Sequence, residues 1–174
     1  DTKFPIEWRH YRNSILLTNK DEFKIKNLRS VTEGQAISCI KGLKEENLNN
    51  PITVTACDHA CLYDENAFQN YLKDPSIDII VWGYRKHANA IRNPHMYGWI
   101  NEENNFIESI SVKKPLGDPA NDPLVVGTFT FRNYEILKNS INSLVKRKNK
   151  VNGEYYIDSA INDGISLGYK CRMF

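Results

Sequence analysis

The sequence contains no run approaching the ~20 consecutive apolar residues that a membrane helix needs. It also has no charged start followed by an apolar stretch, the mark of a secretory signal. Both absences lead to the expectation of no membrane partner and a cytoplasmic location. Charge of one sign is scarce too: 23 Lys and Arg against 21 Asp and Glu leave a net +2, too small to imply nucleic acid or an anionic surface as a partner. The one basic and aromatic stretch, Trp8-Arg9-His10-Tyr11-Arg12, looks like a phosphate-binding patch, but short basic runs serve as well as solvated segments. Cysteine is sparse, with four scattered residues (Cys39, Cys57, Cys61, Cys171). A chain of 174 residues can bury a core without disulfide staples, so reduced thiols are expected. Cys57-Asp58-His59-Ala60-Cys61 has the look of a metal clip, but a zinc site wants four ligands, usually as two spaced pairs, and no second pair exists. Internal repeats, low-complexity segments and linkers are absent, which gives a single domain over residues 1–174. The start at Asp1 rather than Met, and the abrupt end at Phe174, read as a piece lacking both ends.

What is present is an alternation of short apolar runs with amphipathic stretches, the pattern of an α/β domain. Ser14 to Thr18 is a candidate strand. Thr32 is a candidate cap for a helix with Ala36, Ile37, Ile40 and Leu43 at helical spacing. Pro51 opens the β-branched run Ile52 to Cys57, read as a buried strand. Asp64 caps a helix carrying Ala67, Phe68, Tyr71 and Leu72 on one face. Ile77 to Tyr84 is almost wholly apolar, as suits a strand covered on both faces of a parallel sheet. Tyr97 to Ile100 and Phe106 to Val112 flank an Asn/Glu turn, which suggests a hairpin added to that sheet. A loop from Pro115 leads to a strand over Leu124 to Phe131. Asn133 then caps a helix with Tyr134, Leu137, Ile141, Leu144 and Val145 as its buried stripe, and Lys146-Arg147-Lys148 suits its negative pole. A helix from Tyr156 stops at Gly168, and Tyr169 to Phe174 opens another strand. The expected fold is thus α/β, a mainly parallel sheet flanked by helices with an added β-hairpin.

Asp58 follows the end of a buried strand. In open α/β sheets ligands bind outside the carboxyl ends of strands, and a hard carboxylate there suits Mg²⁺, which takes one or two protein carboxylates beside substrate phosphates. A helix cap or a turn residue is the competing reading of the same aspartate.

The order of several short motifs adds to this. Thr32-Glu33-Gly34-Gln35-Ala36 opens a helix before the Asp58 strand; Tyr97-Gly98-Trp99 begins the hairpin and Val112-Lys113-Lys114-Pro115 ends it; Val125-Val126-Gly127 and Val151-Asn152-Gly153-Glu154-Tyr155-Tyr156 follow. In this order the chain, from about Val31 to Phe174, resembles the sugar-phosphate nucleotidyltransferases, especially bacterial versions serving capsule and lipopolysaccharide precursors, with glucose-1-phosphate thymidylyltransferases as relatives. The resemblance implies a nucleotide-diphospho-sugar transferase (GT-A-like) fold. It also implies transfer of a nucleotidyl group from a nucleoside triphosphate to a sugar 1-phosphate or similar ester, with release of pyrophosphate and Mg²⁺ as cofactor. By the same resemblance Glu33 and Gly34 lie against the nucleobase, and Asp58 is the first metal-binding aspartate and a catalytic residue. Gly98 lets the sugar approach the hairpin, catalytic Lys114 holds the sugar phosphate, Val125 lines the sugar pocket and Glu154 binds sugar hydroxyls. The competing structural readings are a turn for Gly98, a solvated side chain for Lys114 and a helix first turn for Glu154.

The pattern departs from the family at four places. Nothing before Val31 resembles the glycine-rich loop that cradles the triphosphate. The second metal-binding aspartate would fall beyond Phe174, and Asp158 and Asp163 are poor substitutes inside a predicted helix. Lys113 replaces the glutamate of Glu-Lys-Pro, and Cys57 replaces a small residue. Two other readings stand beside the leading one. A glycosyltransferase of related fold would carry an Asp-x-Asp pair where Asp58-His59-Ala60 stands. A non-catalytic binding module can be built on the same sheet.

Overall fold

The computed structural model describes residues 14–19, 22–43, 49–56 and 61–174. Asp58, the Trp8–Arg12 stretch and all but Cys61 of the cysteine-flanked pentapeptide lie outside the described residues.

The chain begins with an antiparallel pair, β1 (Ser14–Asn19) and β2 (Glu22–Asn27), that forms a small sheet of its own. The main sheet holds β3 (Ile52–Thr55), β4 (Ile79–Tyr84), β5 (Gly98–Glu103), β6 (Phe106–Val112), β7 (Leu124–Phe131) and β8 (Cys171–Met173). Its order is β6-β5-β7-β4-β8, with β3 also on β7. Strands β3, β4 and β5 all run antiparallel to β7, while β8 is parallel to β4. Strands β3, β4, β5 and β8 therefore point one way, and β7 and the hairpin strand β6 run counter to them. The α/β class and the added hairpin are as the sequence pattern indicated.

Period-2 alternation explains the apolar run of β4. Ile79 and Val81 face one core with Phe129 and Phe131 of β7, whereas Ile80 and Trp82 face a second core with Phe68. Both faces of β4 are buried from Ile79 to Trp82, so those four positions are apolar. The first core is closed by α1 (Gln35–Leu43), α4 (Tyr134–Lys146) and α5 (Ile157–Ser166), and the second by α2 (Glu65–Lys73). Trp82 Nε1 donates to Thr130 Oγ1 at 3.1 Å, so its polar atom is satisfied within the core.

Two helix starts follow the capping rule: Asp64 accepts from the Ala67 amide and Asn133 from the Ile136 amide, both at 3.1 Å. Thr32 does not cap α1. The helix begins at Gln35, and the Thr32 hydroxyl instead donates to the Gly34 carbonyl at 3.0 Å and pairs with Ser38 Oγ. The hairpin turns at Asn104-Asn105, both at positive φ, the geometry of a two-residue primed turn. Asn162 of α5 holds both the amide and the carbonyl of Ile110, at 2.7 and 2.8 Å, which fastens the helix across β6. A short helix, α3 (Ala88–Arg92), and a 3-10 turn (Pro94–Met96) bridge β4 to β5. Among the described residues no helix is long and apolar enough to cross a membrane.

Candidate functional site

The register of β7 locates a gap in the sheet. One side of β7 is covered by β4 over its whole length, from Leu124 to Phe131. On the other side β3 pairs with Thr128 to Phe131, and β5 joins only at Leu124, through Trp99. Strands β3 and β5 therefore lie end to end along one side of β7, separated opposite Val125, Val126 and Gly127. The carboxyl end of β3 points into this gap, the place where open α/β sheets bind ligands. The Ala56 amide donates to the Gly127 carbonyl at 3.2 Å, so the chain leaves β3 at the edge of the gap, two residues before Asp58.

Gly98 and Val125 meet at the far end. A Cβ built on Gly98 would lie 3.4 Å from Val125 Cγ2 and on top of Asp158 Oδ2, closer than real atoms approach. The absent side chain of Gly98 is thus room taken by the Asp158 carboxyl, which reaches over from the first turn of α5. Burial pushes the Asp158 carboxyl above the ordinary carboxylate range, against a smaller opposing pull from its own backbone amide and from Lys113.

Glu33 and Gly34 form a second group with Glu154. The Tyr155 amide donates to the Glu33 carbonyl at 2.8 Å, and the Ala36 amide to the Tyr155 carbonyl at 3.1 Å. Gly34 has φ +120°, and a Cβ there would sit 2.7 Å from both the N and O of Tyr155, so only glycine fits. Glu33 is exposed and pairs with Lys150, which holds its carboxyl below the usual range. The Val151 to Glu154 segment is closed by reciprocal 3.0 Å backbone bonds around Asn152-Gly153, both at positive φ, and this tight turn presents Glu154 to solvent. Burial, together with the nearby Glu154 carboxylate, raises the Tyr156 pKa.

The end of the hairpin joins these two groups through Lys113 rather than Lys114. The Lys113 ammonium donates to the Met96 carbonyl and lies 5.9 Å from the Tyr156 ring centroid. Lys114 is exposed; its carbonyl accepts from Ser111 Oγ at 2.7 Å, and its side chain has no hydrogen-bond or ionic partner among the described residues. The structure therefore brings Gly98 and Val125 together and Glu33, Gly34 and Glu154 together, with the Tyr156–Asp158 segment linking the two sets. Sequence reasoning weighed Asp158 only as a stand-in metal ligand; the available signal was its position four residues after Glu154.

Among the described residues no three His, Cys, Asp or Glu side chains gather in a way that could hold a metal ion. Asp163 is committed elsewhere: it is 1% exposed and takes Arg147 through both carboxylate oxygens, at 2.7 and 2.5 Å, and Ser143 Oγ at 2.8 Å. The described residues thus do not by themselves fit Mg²⁺. The thiols of Cys39 and Cys171 are pushed up to about 12 by burial and carry no nucleophilic chemistry. A small concavity lined by Pro51, Tyr71, Leu72 and Arg132 lies at the opposite end of the sheet, where β3 and β4 begin, and Arg132 there is spent on the carbonyls of Asp74 and Ile77.

The fold is the α/β fold of solved nucleotidyltransferases. Among solved structures it is similar to a nucleoside-diphosphate-sugar pyrophosphorylase from Vibrio cholerae RC9, with TM-score 0.61, 16% identity, and cover of 84% of this chain and 58% of that one. It is also similar to the inositol-1-phosphate CTP transferase from T. maritima, with TM-score 0.57, 12% identity, and cover of 82% and 51%. A UDP-glucose pyrophosphorylase complexed with UDP-glucose matches with TM-score 0.56, 18% identity, and cover of 82% and 54%. The chain thus spans between half and three-fifths of these neighbours' lengths. No family model and no curated protein matches the sequence.

Proposed function

We propose that this chain is part of a nucleotidyltransferase that joins a nucleoside triphosphate to a sugar 1-phosphate or similar ester in the making of surface-polysaccharide precursors. The observation that supports it most is the gap beside Val125 to Gly127. It opens at the carboxyl end of β3, Ala56 stands at its edge, and Gly98 closes its far end.

In this reading an oxygen of the acceptor phosphate attacks the α-phosphorus of the nucleotide. A phosphorus–oxygen bond forms, the bond to the β-phosphate bridging oxygen breaks, and pyrophosphate leaves with that electron pair. The transfer asks the protein for positioning and charge neutralisation rather than a nucleophile. Glu33 and Gly34 lie against the base, where the forced glycine leaves bare backbone for a flat ring. Lys114, whose side chain has no partner among the described residues, meets the acceptor phosphate as a point charge. Gly98, Val125 and Glu154 line the acceptor pocket. Asp58 is the residue that would hold Mg²⁺, which would supply charge neutralisation when bound.

The test is release of pyrophosphate by the full-length protein, given each nucleoside triphosphate with Mg²⁺ and a panel of sugar phosphates. Asp58→Asn should lower turnover by ~100-fold or more, as expected when a metal worth several kcal/mol is lost, with the circular dichroism spectrum unchanged. Full activity in that variant refutes the metal assignment, and silence of the wild type across the panel refutes the transfer.

A further inference from the structure

The surface around α3 carries charge of one sign, although the whole chain is close to neutral at +2. Between Tyr84 and Tyr97 stand Arg85, Lys86 and Arg92 with no acidic residue. The end of the hairpin packs directly beside them: the Lys113 amide donates to the Tyr97 carbonyl at 3.0 Å, and His95 Nδ1 lies 3.3 Å from the Lys113 carbonyl. The nearby acids are occupied. Glu102 pairs with Arg85, while Asp118 and Asp122 accept from amides of their own loop. Lys86, Arg92 and Lys114 are exposed, and their side chains have no hydrogen-bond or ionic partner among the described residues.

Apolar side chains stand among these cations. Ile91 is 60% exposed and Met96 64%, and Tyr84 and Leu116 are exposed as well. Helix α3 gives only Ala90 to the core, against Trp99 and Leu124, and its other residues are exposed. Lys86 and Lys113 also hold φ of +61° and +60°, a left-handed conformation that asparagine or glycine adopts at less cost. Lysine at both turns puts positive charge where local backbone geometry favours another residue.

We propose that this surface lays the protein against an anionic lipid bilayer, with Lys86, Arg92 and Lys114 at the headgroup phosphates and Ile91, Met96 and Leu116 in the acyl boundary. Attachment of this kind needs neither a spanning run nor a large net charge, only a basic face with apolar residues beside it. Two other anionic partners fit less well. Lysine is depleted at protein–protein interfaces, yet three of the five cations here are lysines. Nucleic acid asks for rings on which bases stack, and three of the four exposed apolar side chains are aliphatic or a thioether.

The experiment is co-sedimentation of the full-length protein with vesicles of phosphatidylcholine alone, or of phosphatidylcholine and phosphatidylglycerol in equal parts. Wild type is compared with the pairs Lys86→Gln/Arg92→Gln and Ile91→Ser/Met96→Ser. The expected result is binding to the anionic vesicles that is about tenfold or more above the neutral ones, weakened by salt, and lowered about tenfold by either pair. A wild type that ignores both vesicles, or binds them equally, overturns the proposal. Wild-type binding by the serine pair overturns it too, since charge alone would then hold the protein. Capture of poly-glutamate without affinity for either vesicle gives the surface to an acidic polypeptide and likewise overturns it. Should one pair fail to fold, the other pair and the wild-type preference decide the matter.

Discussion

Asp158 shows how a side chain's surroundings, rather than its identity, set what it does. In the sequence it is an acid in the first turn of a helix, where the helix dipole favours negative charge. In the fold it leans over Gly98, where burial favours the proton. The stability consequence has a definite sign. Between the ordinary carboxylate value and the raised one, the folded chain keeps a proton that the unfolded chain has released. Stability therefore falls as pH rises through that window and stays lower above it. Asp158→Asn has no proton to lose, so its stability relative to wild type should improve as pH rises from about 3 to 8, measured by denaturant unfolding at each pH. Parallel curves for the two proteins would show that the carboxyl ionises in the fold as it does in the unfolded chain. The positions of the candidate site were singled out by the order of motifs, and their roles are proposals. Their partners were not legible: nothing local in the sequence says that Asp158 fills the space at Gly98, that Glu33 pairs with Lys150, or that Lys113 rather than Lys114 turns toward Tyr156.

The start of α1 is the element whose geometry depends most on one residue. The Glu33-Gly34 turn and the Tyr155 backbone exchange bonds in both directions, so the helix start and the Glu154 turn form one unit. Gly34→Ala would both place a side chain at φ +120° and drive its Cβ to 2.7 Å from the Tyr155 backbone. A strained backbone of this kind costs about 1–3 kcal/mol, and the clash must be relieved by separating the two segments. The expected outcome is a lower denaturation midpoint together with faster amide exchange at Tyr155 and Ala36. Wild-type exchange at those two amides would mean that the segments are not coupled. Elements with local signals were readable: Asn133 and Asp64 as caps, the stripe of α4, the stop at Gly168. Thr32 misled because a threonine before a helical pattern reads as a cap, whereas its hydroxyl found the Gly34 carbonyl and Ser38 instead. Strand β2 does alternate Phe23 and Ile25 with Lys24 and Lys26, but over only six residues, and helix α3 has five residues with no clear apolar period, so both escaped notice.

At the scale of the molecule, β7 is the strand on which the sheet depends, since β3, β4 and β5 all bond to it. That role was hidden in the sequence, because strand direction is set by long-range pairing and a buried apolar run reads the same either way. It has a measurable consequence. Phe129 is fully buried, pairs in register with both Val54 and Val81, and packs in the core beneath α1, α4 and α5. Removing its ring leaves a cavity at the junction of three strands, which costs about 3–5 kcal/mol out of a typical total of about 5–15. Phe129→Ala should therefore shift the urea midpoint strongly downward. Trp82, on the opposite face of β4 and in the second core, should report the same lowered midpoint by fluorescence as the backbone does by circular dichroism, because β7 and β4 carry both cores. Two separate transitions, with the Trp82 side unmoved, would mean that the two faces of the sheet fold independently and that the gap beside Val125 is framed by one of them alone.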